Sequence, residues 1–483
     1  MSETRSQKTV SSFLFKIVES VGNQGIAFVV SLFLARKLDP SDYGVLSMLL
    51  VFIAIAQVFV QSGLGTALIQ KKNVDETDRS SAFFLSLGIA VVLYALLFLL
   101  APWFAAIFDM PALKSTLRVM ALILLPGAFV SVANAVVARR MAFRKLMVAS
   151  LGATVTSGTV GLWLAWSGAG YWALVAQQLT NQTMLAILLL LLVKWRPALT
   201  FRFERVKGLV RFSWKLLVSS LLDTGYTNLR SGVIGVRFSD AALGFYTRGK
   251  QFPEMLMNAI NGSIQSVMLP VLSEQQDAPE RMKQLMRRSV MLSSFLVVPM
   301  MAGLAAAAEP LITLLLTDKW LPCVPFLQLC CIDFAFYPIH TANLQAINAK
   351  GRSDVFLKLE LIKKSYGIVI LLVSVLCFNS VMAIAWSGVV STLVSAAVNA
   401  HPNKKLLNYG YTEQMHDVLP SIVISMLMFG VVYAMNALAL PAALLLVLQV
   451  IAGIAVYTVL SLLFQKECTQ FLLQVLRKLI SRK

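Results

Sequence analysis

The chain has 483 residues, of which 58% are hydrophobic and 13% charged, whereas a soluble globular protein carries about 25% charged residues. This composition excludes a soluble globular protein, because a core of this size cannot bury so much apolar surface, but it suits a chain surrounded by lipid. The net charge of +19 does not indicate nucleic-acid binding, because the basic residues lie in short segments between long apolar runs. We therefore predict an all-α polytopic membrane protein.

Long apolar runs predict the membrane-spanning helices, each of which needs about 20 predominantly apolar residues. Fourteen such spans are predicted, and the first, seventh, eighth and eleventh are the most polar. In chain order they are 10–34, 43–65, 81–103, 117–138, 146–167, 171–193, 212–236, 242–270, 288–308, 322–347, 355–378, 381–400, 418–437 and 441–464.

The distribution of Lys and Arg predicts the orientation. If the N-terminus is cytoplasmic, the inside segments hold 28 of these residues and the outside segments hold 6. This positive-inside bias predicts that both termini are cytoplasmic. An odd number of missed spans would abolish the bias, so the bias also supports the number of spans.

Two short motifs predict an internal repeat. Residues Leu38–Gly44 and Phe238–Gly244 occupy corresponding helix connections, 200 positions apart. Because each copy would hold an even number of helices, the copies would share one orientation about a pseudo-two-fold axis along the membrane normal. We predict a six-helix bundle over 1–200, a second over 201–405, and two further helices with a basic tail over 406–483. Residues 466–483 fit an amphipathic helix on anionic lipid or an ordinary basic tail.

Motifs for catalysis or metal binding are not recognisable. The five cysteines lack metal-ligand spacing, and none of the three histidines is paired with a nucleophile in the sequence. The predicted loops are too short for a soluble catalytic domain. We therefore predict a transporter rather than an enzyme, with no catalytic residue, metal or cofactor.

Polar side chains inside the predicted spans are the candidates for a transport cavity. A charged residue at the bilayer centre costs about 2.5–3.5 kcal/mol, so it usually faces a bundle interior or an aqueous cavity. Helical spacing places several on common faces of spans 1, 7, 8 and 10, and spans 2 and 6 add the amides Gln57, Gln61, Gln178, Asn181 and Gln182. We predict substrate-cavity residues Asn23, Gln61, Tyr226, Arg230, Arg248, Lys250 and Asn258, and ion-coupling candidates Glu19, Asp223, Glu254 and Asp333.

A structural role is the alternative for many of these residues. Lys16 and Lys215 lie near the cytoplasmic ends of their spans, where a lysine can snorkel to the interface. Glutamine and asparagine often hold membrane helices together, and Lys250 could pair with Glu254 one turn away. If the residues do line a cavity, its arginines suit phosphate oxygens and its amides suit sugar hydroxyls.

A series of motifs along essentially the whole chain resembles one transporter family. The sequence is similar to the polysaccharide transporter (Wzx-like oligosaccharide flippase) family of the multidrug/oligosaccharidyl-lipid/polysaccharide exporter superfamily, nearest to its colanic-acid and exopolysaccharide exporters. The motifs are Ala35–Leu38, Pro40, Asp42–Gly44, Gly63–Gln70, Gly170–Val175, Leu243–Tyr246, Pro270–Ser273 and Lys319–Trp320.

The resemblance implies two bundles around a central cavity, with two extra helices, in a bacterial inner membrane. It implies flipping of oligosaccharide repeat units linked to undecaprenyl diphosphate, for surface polysaccharide or lipopolysaccharide synthesis. On this hypothesis Arg230, Arg248 and Lys250 contact the diphosphate or acidic sugars. The expected partners are the lipid-linked substrate, membrane lipids, H⁺ or Na⁺ as coupling ion, and polymerase and export machinery.

Two other functions remain open from the sequence. A drug or metabolite antiporter of the same superfamily would share the fold, but its cavity would tend to be acidic and aromatic in order to bind cations. A membrane polysaccharide polymerase or glycosyltransferase would usually carry one large extracytoplasmic loop, which the predicted spans do not leave room for.

Overall fold

The structure is a computed structural model that describes residues 2–61, 63–71, 74–466 and 468–470. All the secondary structure in these residues is helical. Helices suit a chain in lipid, because every backbone N–H and C=O group must find its hydrogen-bond partner without water. The chain divides into two compact units, Met1–Gly244 (unit 1) and Phe245–Lys483 (unit 2).

The helices of unit 1 cover most of its described residues. A 3₁₀ segment, Ala121–Ile123, joins the fifth and sixth of them. They are α1 (Ser2–Lys37), α2 (Pro40–Gln61), α3 (Leu64–Gln70), α4 (Glu76–Ile107), α5 (Pro111–Met120), α6 (Leu124–Arg140), α7 (Phe143–Trp166), α8 (Tyr171–Val193) and α9 (Phe203–Arg237), with α10 (Asp240–Ser273) crossing into unit 2.

Unit 2 continues with eight further helices in the described residues. A break at Phe336 divides predicted span 10 in two, because Pro338 lacks the N–H that would bond the carbonyl of Phe334. The helices are α11 (Pro279–Ala306), α12 (Ala308–Leu316), α13 (Val324–Ala335), α14 (Tyr337–Ala349), α15 (Ser353–Cys377), α16 (Val381–Leu407), α17 (Tyr411–Ala434) and α18 (Ala442–Phe464).

Eleven helical segments in the described part of the chain are long and apolar enough to cross a membrane. The prediction of an all-α, multi-pass membrane protein is therefore confirmed. Each of the fourteen predicted spans overlaps a helix, but α9, α10 and α15 are not among the eleven because they carry more polar and charged residues. Fourteen spans and the pseudo-two-fold symmetry remain predictions, and the predicted tail lies mostly outside the described residues, at 471–483.

The helix surfaces show the pattern that lipid contact requires. On α18 the side chains of Val447 and Ile454 are exposed, whereas Gln449, Gly453 and Ser461 are buried. This reverses the pattern of a soluble helix. Small and polar residues meet neighbouring helices in a membrane, because apolar side chains gain nothing by leaving the lipid.

The two motifs of the predicted repeat contact each other within unit 1. A Cβ atom on Gly44 would lie 1.8 Å from the carbonyl oxygen of Asp240, and one on Gly244 would lie 2.0 Å from that of Pro40. The α1–α2 and α9–α10 connections therefore touch backbone to backbone, and both contacts require glycine. This reciprocity supports the repeat, which stays a prediction.

Each unit has its own apolar core. In unit 1, Trp195 lies in a core formed by residues of α3, α4, α6, α7 and α8, and its ring stacks on Phe129 with centroids 5.6 Å apart. In unit 2, Met282, Tyr409 and other buried residues join α10, α11, α14, α16 and α17. These cores hold the polar side chains of each unit in fixed positions.

Candidate functional site

Unit 1 encloses a cavity of about 730 Å³, lined by residues of α1, α2, α3, α6, α7, α8 and α9. Four amide side chains line it, and we call it the amide-lined cavity: Gln57 and Gln61 from α2, Asn134 from α6 and Gln182 from α8. Lys16 is the one charged residue among the described residues that line it. The cavity therefore combines neutral hydrogen-bonding groups with a single cation.

Local backbone features bring these side chains to the cavity. Gly63 has a φ of 64°, a left-handed conformation that favours glycine, and it separates α2 from the short α3. On α6, Asn134 is exposed although Ala133 and Ala135 on either side are buried in the core. Gly127 of α6 faces α8, since a Cβ there would lie in ordinary contact with Nε2 of Gln182, at 3.5 Å.

Two of the predicted site residues, Glu19 and Asn23, contact α7 and are not in the cavity lining. Ser150 donates a hydrogen bond to Glu19 Oε1 at 3.1 Å, and Thr154 donates to Asn23 Oδ1 at 2.8 Å. Asn23 also donates to Ser150, and Lys16 Nζ lies 2.5 Å from Glu19 Oε2. These bonds join α1 to α7, which is the helix-pairing role considered as the alternative.

Three predicted residues lie further along α9 than its cavity-lining residues, which end at Ser220. Arg230 Cζ lies 6.0 Å from the ring centroid of Tyr226, so these two side chains share a face of the helix. An aromatic ring at this distance attracts and orients a guanidinium group. Asp223 is exposed one turn earlier.

The predicted residues at the start of α10 in unit 2 have partners within that unit. Arg248 is only 3% exposed, its Cζ lies 5.7 Å from the ring centroid of Trp320, and its Nη1 donates to Gln251. Lys250 Nζ lies 3.8 Å from a carboxylate oxygen of Glu254, the i,i+4 pair considered from the sequence. In this conformation the charged groups of Arg248, Lys250 and Glu254 therefore contact other side chains of the protein.

Asp333, the ion-coupling candidate on α13, makes one of two polar contacts to α16 in unit 2. It accepts a hydrogen bond from Thr392 of α16, and His340 Nδ1 on α14 lies 3.1 Å from Asn399 Nδ2 on α16. The remaining candidate, Asn258 of α10, is exposed. The two contacts join α13 and α14 to α16, and the coupling role of Asp333 stays a prediction.

Of the eleven predicted residues, Gln61 is the one that lies in the amide-lined cavity. The roles of all eleven stay predictions. From the sequence, Gln57 and Gln182 are predicted as amides within spans but not as site residues, and Asn134 and Ser131 are not predicted at all. The signal was present, because Ser131 and Asn134 fall three residues apart on one face of an apolar span.

Unit 2 contains a different kind of cavity, of about 600 Å³, between α11, α13, α16 and α17. Its lining is mostly apolar and includes Met301, Trp386 and Phe429. Within the described ranges, no cluster of three or more His, Cys, Asp or Glu residues could hold a metal ion.

Comparison with known proteins gives a family and a set of relatives. The family described as polysaccharide biosynthesis protein matches residues 33–325. The chain is 26% identical to the succinoglycan biosynthesis transport protein ExoT of Rhizobium meliloti (strain 1021), over 99% of this chain and 97% of that protein. It is 23% identical to the lipopolysaccharide biosynthesis protein WzxC of Escherichia coli (strain K12), over 74% and 73% of the two chains.

Two solved structures share the fold. The inward closed conformation of the lipid II flippase MurJ has a TM-score of 0.76 at 13% identity, over 94% of this chain and 99% of that one. The inward-facing conformation of a multidrug resistance MATE family transporter has a TM-score of 0.59, also at 13% identity, over 81% and 98%. At these identities the likeness shows a common fold and no more.

Proposed function

Since the chain belongs to the polysaccharide biosynthesis protein family, we propose that it flips lipid-linked oligosaccharide repeat units across the bacterial inner membrane. The product would serve the synthesis of surface polysaccharide or lipopolysaccharide. The family resemblance seen in the sequence is confirmed, and so is the prediction of a membrane transport protein rather than an enzyme.

The observation that carries the proposal is a cavity with hydrogen-bonding side chains in its lining, inside a unit that exposes many large apolar side chains. This arrangement suits a substrate with a polar head group and a lipid tail, because the head group can enter the cavity while the tail stays in the bilayer. The relatives support this substrate class, since ExoT is a succinoglycan transport protein and MurJ is a lipid II flippase.

The proposed mechanism is alternating access between inward-open and outward-open forms. Arg230 would contact the diphosphate or an acidic sugar, and Arg248 and Lys250 would do so only after leaving Trp320 and Glu254. Neutralising Arg230 and Arg248 together, as Arg230→Gln and Arg248→Gln, should therefore reduce flipping. Unchanged flipping by a stably folded double variant would reject these arginines as substrate contacts.

Ion coupling is the second part of the mechanism. Glu19, Asp223, Glu254 and Asp333 are the candidates to exchange H⁺ or Na⁺. Coupling requires the ion and the substrate to prefer different conformations, because a ligand shifts an equilibrium only by its differential affinity. Flipping into sealed vesicles that depends on an imposed proton or sodium gradient would identify the ion, and gradient-independent flipping would reject coupling.

A deletion strain tests the proposed function directly. We expect loss of the surface polymer and accumulation of undecaprenyl-linked repeat units that a membrane-impermeant reagent added outside cannot reach. Normal polymer with altered sensitivity to cationic drugs would support an antiporter instead. Polymer loss with single repeat units exposed on the outer face would support a polymerase.

The proposed topology places both termini in the cytoplasm. A green fluorescent protein fused to the C-terminus should therefore be fluorescent, and alkaline phosphatase fused at the same point should be inactive. An active phosphatase fusion would show that the number of spans is odd or the orientation inverted.

A further inference from the structure

The four amides of the amide-lined cavity differ from Asn23 and Asn181, two amides of the same helices that pair with other helices. Asn181, next to Gln182 on α8, donates to Ser157 at 3.1 Å, and Asn23 bonds α7. By contrast, no side-chain hydrogen bond within the described part of the protein is made by the four cavity amides, Gln57, Gln61, Asn134 and Gln182. The cavity amides are therefore left to bind water or a ligand.

The chemistry of the lining limits that ligand. Each amide carries two donors and an acceptor, so it pairs with groups that both donate and accept, as a hydroxyl does. The described lining has no carboxylate, which disfavours a cation. Its single cation, Lys16, is half-exposed and already paired with Glu19, which disfavours a diphosphate.

We propose that the amide-lined cavity is a subsite for the uncharged, hydroxyl-rich sugar rings of the substrate head group, separate from the place that holds its diphosphate. This inference rests on the proposed function. The cavity volume of about 730 Å³ lies within the range of small-molecule sites, roughly 300–1,000 Å³. Ser131, Thr66 and Ser220 add hydroxyl groups to the same lining.

A cysteine reporter in the cavity tests the subsite. Ala138 lines the cavity, and Cys377 is the exposed native cysteine, so the reporter is Ala138→Cys in a Cys377→Ser chain. The purified full chain in lipid nanodiscs is labelled with a water-soluble maleimide. The two probes are the lipid-linked repeat unit extracted from the deletion strain and undecaprenyl diphosphate without sugar.

We expect the lipid-linked repeat unit to slow labelling in a saturable way, and the sugar-free lipid to leave the rate unchanged. Equal protection by both lipids would overturn the subsite, because the diphosphate or the tail would then occupy the cavity. No protection by either lipid would overturn it as well.

Two glutamines on α8 provide a matched pair of variants. Gln178 and Gln182 lie one turn apart and are both half-buried, but only Gln182 is among the cavity-lining residues. Gln182→Leu should weaken protection by the lipid-linked repeat unit about tenfold, the effect of losing one or two hydrogen bonds, and Gln178→Leu should not. Equal loss of protection in the two variants would contradict the subsite. If Gln182→Leu does not fold, Gln57→Leu provides the same test from α2.

The outcomes also separate the subsite from the function. If the deletion strain exports its polymer normally, the proposed function fails. If deletion blocks export but the sugar-free lipid protects the reporter as well as the lipid-linked repeat unit does, the function stands and the subsite fails.

Discussion

Unit 1 and unit 2 both carry amides in their helices, but the amides have different partners. In unit 2, Asn343, Asn403 and Gln414 are buried together, with Asn343 donating to Gln414 and Asn403 donating to Asn343, each at 2.7 Å. In unit 1, the amides of the amide-lined cavity have no such partners in the described residues. The same residue types therefore join helices in the unit 2 network and line a cavity in unit 1.

The two cavities described above also differ in their walls. The cavity of about 600 Å³ in unit 2 has mostly apolar walls, such as Met301 and Phe429. The cavity of unit 1 has polar as well as apolar walls. The amides of the amide-lined cavity thus remain available to a ligand, whereas the amides of the unit 2 network hold helices together.

The largest expected effect is on the buried network of unit 2. Asn343→Leu removes a group that is fully buried and bonds both Asn403 and Gln414. Each stranded amide costs about 1–3 kcal/mol, so the midpoint of thermal unfolding of the purified protein should fall by several degrees. The control is Asn258→Leu, at an exposed position of α10. If both variants unfold at the same temperature, the network of Asn343, Asn403 and Gln414 does not stabilise unit 2.

The next prediction concerns the unpaired amides of unit 1. Gln57→Leu breaks no hydrogen bond within the described residues, so the free energy of unfolding should change by less than about 0.5 kcal/mol. Restoration of surface polymer in the deletion strain should nevertheless drop, because the cavity loses a ligand contact. If Gln57→Leu is destabilised as much as Asn343→Leu, or if it restores the polymer fully, the proposed difference between the cavity amides of unit 1 and the paired amides of unit 2 would fail.

The all-helical membrane fold was predictable because its signals are local. A run of about 20 apolar residues predicts a span wherever it occurs, and Pro338 shows where the helix of span 10 must break. The number of spans was harder to fix, because α9, α10 and α15 carry polar residues that could line a cavity or lie outside the bilayer. Composition alone does not separate these cases.

The candidate site was less predictable because partners come from distant parts of the chain. The Lys250–Glu254 pair was foreseen, since helical geometry brings i and i+4 together. The bonds from Ser150 and Thr154 to Glu19 and Asn23 cross 131 positions and depend on how α1 packs on α7. Helical periodicity indicates which residues share a face, but it does not indicate what that face contacts.

A smaller effect tests whether a buried polar residue of unit 1 stabilises the fold when it has partners, as the paired amides of unit 2 do. Asp78 of unit 1 is buried and has partners: Lys71 Nζ lies 2.6 Å away and Arg205 lies 3.7 Å away. Asp78→Asn should destabilise the protein by about 1 kcal/mol, through the weakened ion pairs and capping box. The control is Asp354→Asn, which breaks the exposed pair with Arg352 and should lower the free energy of unfolding by less. A larger loss of stability in Asp354→Asn than in Asp78→Asn would mean that burial does not govern the strength of these ion pairs.

The smallest expected effect is a pH dependence at the N-terminus of α4. The backbone N–H of Asp78 donates to Asp75 Oδ1 at 2.7 Å, and this bond, assisted by Arg205 and Lys71, lowers the pKa of Asp75 below its ordinary value of 3.8. Because the folded state favours the charged carboxylate, its stabilising contribution is present above pH 3.8 and is lost as the pH falls through the lowered pKa.

The measurement is the midpoint of thermal unfolding as a function of pH, for the wild-type protein and for Asp75→Asn. The wild-type midpoint should fall further than that of the variant below pH 3.8. The difference should be small, because the Asp75 side chain is 49% exposed and water screens its charge. Identical curves would mean that the cap contributes through its neutral hydrogen bond, and that the charge of Asp75 has no stabilising role.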